Sequence, residues 1–227
     1  MKQNMTSITF HHPSHTSVYR LIDTAGQVTA IITDPTKLSQ RAKLAQSIMT
    51  NNPLVEQVGF LDGVNFTMMG GELSINGLLA GAFVIGQSGK INNLNFNLNE
   101  NIITLTLPKS IVVTVEKNII QLRGITYSVE KGIPTTNTIS PQTKQALQKL
   151  TLDSPAAGII YYEGARIKPL IYVQQTNSYK WENACGSGSL SFALFSSLRN
   201  IIQPSGQTIN YQISKNSITV TVTAKEL

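Results

Sequence analysis

Short runs of apolar, often β-branched residues alternate with polar positions in the first half of the chain and predict strands. Between them, leucine, alanine and methionine recur at helical spacing over 36–49, which predicts an amphipathic helix. Asp34 and Pro35 are expected to begin this helix as the N-cap and the first helical residue. A hairpin turn is predicted at Asp62-Gly63. The predicted strands of this half are 7–10, 18–23, 28–33, 55–61 and 65–69.

The second half repeats this order of elements. Ser140 and Pro141 again have the residue types of a helix start, and a helix is predicted over 142–150. Each half then reaches a glycine-rich turn followed by a helix of small apolar residues, predicted at about 75–85 in the first half and about 190–200 in the second. The predicted strands of the second half are 111–115, 119–122, 125–130, 158–162 and 170–174.

The spacing between matching features supports an internal duplication. Pro35 and Pro141 lie 106 positions apart, and Ser74 and Cys185 lie 111 apart, which is close to half of the 227 residues. The two glycine-rich turns therefore occupy equivalent places in the two halves. We expect two α/β halves related by a pseudo-twofold axis.

Composition narrows the classes of function. The formal net charge of +6 is spread diffusely, and no run of basic and aromatic residues favours nucleic-acid binding. A single cysteine excludes an intrachain disulfide framework and a cysteine zinc cluster, and the three histidines have no further ligand at metal spacing. The longest apolar run, 77–86, is shorter than the roughly 20 residues of a membrane span, and the first ten residues do not form a secretory signal. We therefore expect a cytoplasmic protein that binds neither nucleic acid nor membrane.

The duplicated turns have a chemical interpretation. A helix N-terminus offers unpaired backbone N–H groups and the positive end of the helix dipole, so two of them facing one cleft would hold the carboxylate of an amino acid and acidify its Cα proton. Ser74 and Cys185 begin these two helices, and a thiolate in such a place is expected to have a lowered pKa and to act as a base. Two such groups on opposite faces of Cα give the geometry of a two-base racemase. Structural roles would also account for them, with Ser74 as an ordinary N-cap and Cys185 as a core residue.

Three segments of the chain carry a family resemblance. Pro169–Phe195 contains WENACGSGS, Gln57–Gly77 contains GGELSING, and Pro13-Ser14 lies near the N-terminus. They resemble the second, the first and the N-terminal motifs of diaminopimelate-epimerase-like enzymes, and most of all those of the histidine racemases of opine-metallophore (staphylopine-type) pathways. The resemblance implies an α/β fold of two pseudo-symmetric domains, each a rolled sheet around a central helix. The implied domains are 1–108 and 109–215, with a last strand at about 216–227 that can return to the first domain.

The resemblance also implies an activity, a partner and a set of site residues. The activity is proton transfer at Cα of a small amino-acid substrate, carried out by two cysteines without a cofactor. Cys185 matches the second catalytic cysteine and Ser74 the first, while the oligomeric state stays open, a homodimer being one form. Glu182 is expected at the substrate amino group, and the backbones of Gly186 and Ser187 at its carboxylate. The positions that match substrate contacts are Glu72, Ile75, Asn76, Glu182, Gly186, Ser187, His15 and Thr16.

The chain departs from the pattern of this family at four points. Ser74 stands in place of the first catalytic cysteine, and Ile75 in place of the glycine that follows it. His15 and Thr16 stand where the family usually has Gly-Asn, and Tyr127 where relatives often have histidine. These departures bear on the activity more than on the fold.

Ser74 leaves three functions open. An alcohol is a much weaker acid than a thiol, so Ser74 needs a neighbouring base, and Glu72 is the base that is close in sequence. The first function is slow racemisation in which Ser74 relays a proton to Glu72 or to water. The second is one-base isomerase or dehydratase chemistry by Cys185, in which Ser74 assists the departure of a β-substituent. The third is a binding protein without catalysis. The substrate side chain also stays open, histidine being the one that the resemblance suggests.

Overall fold

The computed structural model describes residues 8–12 and 15–227. Over these residues the chain forms a mixed α/β structure in which strands outnumber helices. The helices are α1 (Leu38–Asn51), α2 (Ile75–Ile85), α3 (Pro141–Leu150) and α4 (Gly186–Ser196). The strands are β1 (Ile8–His12), β2 (His15–Thr24), β3 (Gln27–Ile32), β4 (Gln57–Asp62), β5 (Asn65–Met68), β6 (Gly89–Ile91), β7 (Leu94–Asn99), β8 (Ile102–Pro108), β9 (Val112–Glu116), β10 (Ile119–Leu122), β11 (Ile125–Lys131), β12 (Ala156–Glu163), β13 (Arg166–Val173), β14 (Ser178–Trp181), β15 (Asn200–Ile202), β16 (Thr208–Ile213) and β17 (Ser217–Glu226).

The first half is built around a parallel strand pair joined by a helix. Strands β3 and β4 are parallel, and α1 connects them, because parallel neighbours in one sheet need a crossover connection. Strand β2 pairs antiparallel with β3, and β4 turns back into β5 at the predicted hairpin. Gly63 in that hairpin has a φ of +57°, a left-handed conformation that favours glycine.

The second half repeats this arrangement. Strands β11 and β12 are parallel and α3 connects them, β10 pairs antiparallel with β11, and β12 forms a hairpin with β13. Ser140 caps α3 as predicted, since its Oγ accepts the N–H of Thr143 at 3.1 Å and Pro141 follows it. The second half differs by one added strand, β14, which pairs with β13 and leads into the turn before α4. The duplication seen in the sequence is therefore present in the strand pairing.

Helices α2 and α4 are the buried helices at the centre of the two halves. Helix α2 packs against β2, β3, β4, β8 and β17, and α4 packs against β10, β11, β12 and β16. The N-termini of the two helices are in contact, because a Cβ placed on Gly186 would lie only 2.8 Å from Ile75 Cβ and 2.7 Å from Asn76 Oδ1. A glycine at the start of α4 therefore lets the two helix N-termini meet.

Strand β17 connects the two halves. It pairs antiparallel with β16 and with β8, and its last three residues pair with β2. A strand that follows the second half in sequence thus pairs with two strands of the first half, β8 and β2. The division of the chain into domains at 108 and 109 stays a prediction.

Several elements differ from their predicted form. Asp34 does not cap α1: the residue before the helix is Lys37, and Asp34 Oδ2 instead accepts the N–H of Val18 at 3.0 Å, which engages it with β2. Helix α4 begins at Gly186, four residues before its predicted start, because Cys185 caps it. It ends early because Ser197 has a φ of +66°. The prediction also missed β6, β7, β8, β14, β15 and β16.

In the described ranges, no helix is both long and apolar enough to span a membrane.

Candidate active site

A cavity of about 90 Å³ lies where the N-termini of α2 and α4 meet. A single water needs on the order of 10–15 Å³ by this measure, so the cavity has room for one small ligand. Ser74 and Cys185, from equivalent places in the two halves, both line it. Further polar residues of its wall are Gln27, Glu56, Gln57, Glu72, Tyr127, Ser178, Tyr179, Lys180, Glu182 and Ser187.

Ser74 is held in place by two hydrogen bonds. Its Oγ accepts the N–H of Gly77 at 2.9 Å, as an N-cap does, and donates its own proton to Gln57 Oε1 at 2.8 Å. The Gln57 amide is itself fixed, because its Nε2 donates to Thr29 Oγ1 at 2.7 Å and to Gln27 Oε1 at 3.2 Å. The partner of the Ser74 hydroxyl is therefore a neutral amide, which does not take up a proton, rather than the expected Glu72.

Cys185 caps α4 in the same way but has different surroundings. Its Sγ accepts the N–H of Gly188 at 3.3 Å, and its backbone N–H donates to Gln203 Oε1 at 3.0 Å. The thiol is buried, and its Sγ lies 3.6 Å from the hydroxyl of Tyr127. Burial, followed by the neighbouring Glu182 carboxylate, raises the pKa of the Cys185 thiol well above its ordinary value. The expected lowering of this pKa is therefore wrong, because desolvation outweighs the helix N-terminus.

The three glutamates of the cavity are in an environment that disfavours their charge. Burial raises the pKa of Glu182 to about 8, with Glu56 and Glu72 contributing by like-charge repulsion. Burial also raises the pKa of Glu72 and of Glu56. Glu56 is satisfied by Asn183, whose backbone N–H and side-chain amide donate to it at 3.0 and 2.6 Å, so it holds the turn that leads to Cys185.

Two of these glutamates have a carboxylate oxygen that accepts no hydrogen bond. Among the described residues, neither Glu72 Oε2 nor Glu182 Oε2 has a hydrogen-bond partner, although both atoms are shielded from solvent. The Glu72 carboxylate lies against Gly70, where a Cβ would come within 2.6 Å of Oε2. Buried acceptors without donors carry a desolvation cost, which a ligand with N–H groups would remove.

The other predicted contacts fall into three groups. Gly186 and Ser187 line the cavity, whereas Ile75 and Asn76 are buried below it, where Asn76 Nδ2 donates to the backbone oxygen of Thr24 at 3.2 Å. His15 and Thr16 begin β2 and pair with β1, and their side chains are outside what the structure describes, as are Pro13 and Ser14 altogether.

Among the described side chains, no three histidine, cysteine, aspartate or glutamate residues are arranged to hold a metal ion.

Sequence reasoning missed two polar groups of the site. Gln57 and Glu56 follow an apolar valine and are both buried at the start of β4, and polar residues in a buried strand are a signal that could have drawn attention to them. Their partners, Ser74 and Asn183, lie 17 and 127 positions away, and no local pattern connects such pairs.

Comparison with known proteins shows the family of the chain and the class of its fold. Residues 109–226 match the family model described as the histidine racemase CntK N-terminal domain. The fold is similar to that of a PhzF-family phenazine biosynthesis protein from Enterococcus faecalis, with 15% identity, a TM-score of 0.57 and coverage of 93% of this chain and 96% of that one. A predicted epimerase from Pseudomonas aeruginosa has 12% identity, a TM-score of 0.58 and coverage of 92% and 96%. A probable proline racemase from Agrobacterium radiobacter has 9% identity, a TM-score of 0.53 and coverage of 91% and 90%. No curated protein matches the chain.

The α/β fold is therefore that of the PhzF-like and diaminopimelate-epimerase-like class, which confirms the predicted fold class. Within this class, the chain belongs to the histidine racemase family, because the family model matches 118 of its 227 residues. The predicted family is confirmed, and with it the coarser function of an amino-acid racemase or epimerase, an isomerase. The matched region contains Cys185 but not Ser74.

Proposed function

We propose that this chain racemises or epimerises a small amino acid, histidine being the first candidate, by proton transfer at Cα in the cavity between α2 and α4. Cys185 is the acid–base group, and no cofactor takes part. One observation carries the proposal: Ser74 and Cys185, at equivalent places in the two halves, line one cavity where two helix N-termini meet. A place in opine-metallophore biosynthesis follows from the family resemblance.

The substrate carboxylate is best accommodated at the start of α4. Gly186 and Ser187 are the first two residues of this helix and line the cavity, and N–H groups at such positions have no intrahelical acceptor. Loss of the Cα proton moves negative charge onto the carboxylate, where these N–H groups and the helix dipoles stabilise it more strongly than in the ground state. The helix N-termini thus provide the stabilisation that a carbanion needs.

Glu182 and Glu72 suit the nitrogens of the substrate. Each has a shielded carboxylate oxygen without a partner among the described residues, and an N–H donor from a ligand would satisfy it. We assign the α-ammonium group to Glu182 and a nitrogen of the substrate side chain to Glu72. Histidine fits this pair of acceptors, because its imidazole offers N–H donors in addition to the ammonium group.

Proton transfer at the two faces of Cα then differs. The Cys185 thiolate removes the Cα proton, the electron pair moves into the carboxylate, and the resulting thiol returns a proton to the same face. Inversion needs a proton on the opposite face, where we place Ser74. Because the Gln57 amide accepts a hydrogen bond from Ser74 but is not basic enough to take the proton away, proton transfer on that face depends on water. The enzyme should therefore exchange the Cα proton of one enantiomer faster than it inverts it.

The Gln57 amide is not a base and so does not activate Ser74. Its hydrogen bond with Ser74 therefore also favours a second candidate function, one-base chemistry at Cys185. In this case Cys185 removes the proton, and a β-substituent leaves with assistance from Ser74. A binding protein that keeps the cavity without catalysis is the third candidate.

Incubation of L- and D-histidine, separately, in D2O tests the proposal. A racemase incorporates deuterium at Cα, read by NMR, and changes the optical rotation from both enantiomers. One-base chemistry gives deuterium without inversion, or an elimination product from a β-substituted amino acid. A binding protein gives thermal stabilisation by the ligand without deuterium incorporation.

Two variants connect the result to Cys185. Cys185→Ala should abolish deuterium incorporation. Ser191→Ala should retain it, because the hydroxyl of Ser191 donates only within α4, to the backbone oxygen of Ser187 at 3.0 Å. Exchange that survives in Cys185→Ala would remove this thiol from the mechanism and contradict the proposal.

A further inference from the structure

Tyr127 places a buried hydroxyl beside the Cys185 thiol. Its OH lies 2.7 Å from Ser187 Oγ and 3.6 Å from Cys185 Sγ, and the residue is fully buried. The space for its ring is provided by Gly158, the residue opposite it on the neighbouring parallel strand β12, because a Cβ at Gly158 would overlap the ring. Strand β11 and this glycine therefore fix the hydroxyl between two possible acceptors.

We propose that Tyr127 is a positioning residue that stabilises the thiolate of Cys185 by changing its hydrogen-bond acceptor, an inference that rests on the proposed role of Cys185 as the base. While Cys185 is a thiol, the Tyr127 hydroxyl donates to Ser187 Oγ. When Cys185 is a thiolate, the same O–H turns to Sγ, and Ser187 donates its own proton to the phenol oxygen. Tyr127 keeps its proton throughout and forms no bond to the substrate.

The chemistry of the groups around the thiol supports this assignment. A phenol has one proton to donate and accepts at its oxygen, which is what a change of acceptor requires. Burial, followed by the charge of Cys185, raises the pKa of Tyr127 well above its ordinary value, so the hydroxyl stays a donor. The backbone N–H of Gly188 also donates to Sγ, while the Ser187 hydroxyl is more distant at 3.9 Å. The neighbouring Glu182 carboxyl, whose pKa is raised to about 8, titrates beside the thiol in the parent protein and in both tyrosine variants alike. Hydrogen bonds to an ionised acceptor are about twice as strong as neutral ones, so the contact of Tyr127 with Sγ strengthens when the thiolate forms.

Tyr127→Phe tests the proposal, with Tyr211→Phe as its matched control. Tyr211, on β16, is also a buried tyrosine beside the start of α4, but its hydroxyl donates to the backbone oxygen of Gly186. Because Cys185 is the only cysteine of the sequence, the rate of iodoacetamide alkylation followed against pH reports on this thiol alone. We expect the titration midpoint to rise in Tyr127→Phe, with alkylation and Cα exchange at neutral pH about tenfold slower and substrate KM unchanged. Tyr211→Phe should keep the midpoint of the parent protein.

Replacement of Tyr127 by 3-fluorotyrosine separates hydrogen bonding from packing. The fluorinated phenol is a stronger donor, so the midpoint should fall, in the direction opposite to that of Tyr127→Phe. A purely structural role predicts no such reversal. Equal midpoints in Tyr127→Phe and Tyr211→Phe, or a rise with 3-fluorotyrosine, would overturn the proposal. The alkylation measurement needs no substrate, so a midpoint that shifts as expected in a protein without Cα exchange would refute the proposed function and leave the hydrogen bond to the thiolate in place.

Discussion

The two helix N-termini at the cavity share one backbone geometry and differ in their proton chemistry. Ser74 and Cys185 each accept the N–H of the glycine three residues further on. The remaining partner of Ser74 is the neutral amide of Gln57, whereas Cys185 lies between the Tyr127 phenol and the Glu182 carboxyl. The two halves therefore share a capped helix N-terminus at the cavity, and only the cap of the second half is a thiol beside an ionisable carboxyl group.

The asymmetry extends to the residues that follow the two caps. Gly186 follows Cys185, and Ile75 follows Ser74, with the isoleucine side chain packed where a Cβ on Gly186 would lie. Only one of the two positions has room for a side chain at this contact. In the first half the position carries a buried hydrocarbon side chain, and in the second it carries no side chain, so that the residue itself lines the cavity. Substitutions that give one half the residue types of the other therefore test how this difference affects proton transfer.

The largest effect is expected from Ser74→Cys, which makes the two caps chemically alike. A thiol in place of the alcohol provides an acid–base group on the second face of Cα, and such a group typically contributes about 10²–10⁴-fold. Racemisation should rise by that order, and the rates from the two enantiomers should approach each other. The measurement compares deuterium incorporation with optical rotation for both enantiomers. Ser74→Ala, which keeps the small side chain without a donor, should show no rise. If Ser74→Cys binds histidine without racemising it, the residue type at position 74 is not what limits racemisation, and a binding protein is favoured.

A second effect concerns the pH dependence of ligand binding on the Cys185 side. The pKa of Glu182 is raised to about 8, so below that pH the carboxyl is protonated and must release its proton before it accepts an ammonium group. Histidine affinity should therefore rise by about tenfold per pH unit as pH increases towards 8, and fall again at the alkaline pH where the α-ammonium group of histidine loses its proton. Calorimetry in buffers of different ionisation enthalpy should detect release of a proton on binding. In Glu182→Gln this dependence and the released proton should both be lost, and a slope that persists there would assign it to another group.

A third, smaller effect is expected from Gln57→Glu, which gives Ser74 a partner able to accept a proton. Inversion should rise by about tenfold, less than with a thiol, because the serine hydroxyl stays a weak acid even beside a base. The rise should disappear in the double variant Gln57→Glu/Ser74→Ala. Gln27→Glu is the matched control, since Gln27 contacts Gln57 rather than Ser74. Equal rates in the two single variants would mean that added charge, and not the Ser74 contact, is responsible.

The smallest effect on proton transfer is expected from Gly70→Ala, which acts on stability and ligand binding. A Cβ at this position would lie 2.6 Å from Glu72 Oε2 and from Val173 Cγ1, so the Glu72 carboxylate must move. We expect a loss of about 1–3 kcal/mol in the free energy of unfolding, measured by chemical denaturation, and weaker histidine binding. Gly89→Ala serves as the control, because its nearest contacts would be at 3.8 Å or more. Unchanged histidine affinity in Gly70→Ala would argue against Glu72 as a ligand contact.

The sequence predicted the central helix of the first half better than that of the second. For α2 the cap and both ends are local features: Ser74 precedes an apolar run, and Gly86 ends it with a left-handed φ of +82°. For α4 the first turn is Gly-Ser-Gly-Ser, which has low helix propensity, and its burial in the core is what makes it helical. Asp34 has the residue type of a cap but is engaged by a strand 16 positions away.

The electrostatic character of the site was less accessible to sequence reasoning. That Cys185 lies at a helix N-terminus could be predicted, because the glycine-rich turn is a local pattern. Its raised pKa depends on burial and on Glu182, and so on how the whole fold excludes water around the thiol. The partner of Ser74 likewise depends on the meeting of β4 with the turn before α2. The local sequence therefore predicts which residues begin the two helices, whereas tertiary packing determines the pKa of Cys185 and the hydrogen-bond partner of Ser74.

Strand β17 has a consequence for how the molecule assembles. Ala224 pairs with Thr24, 200 positions earlier, and the same strand carries the pairing with β8 and β16. A nascent chain cannot complete the sheet of its first half until these last residues have left the ribosome. Contacts of such high sequence separation are closed at a large entropic cost and are associated with slow folding. Until β17 docks, the edges of β2 and β8 are unpaired along these stretches, and unpaired strand edges are prone to pair with other chains.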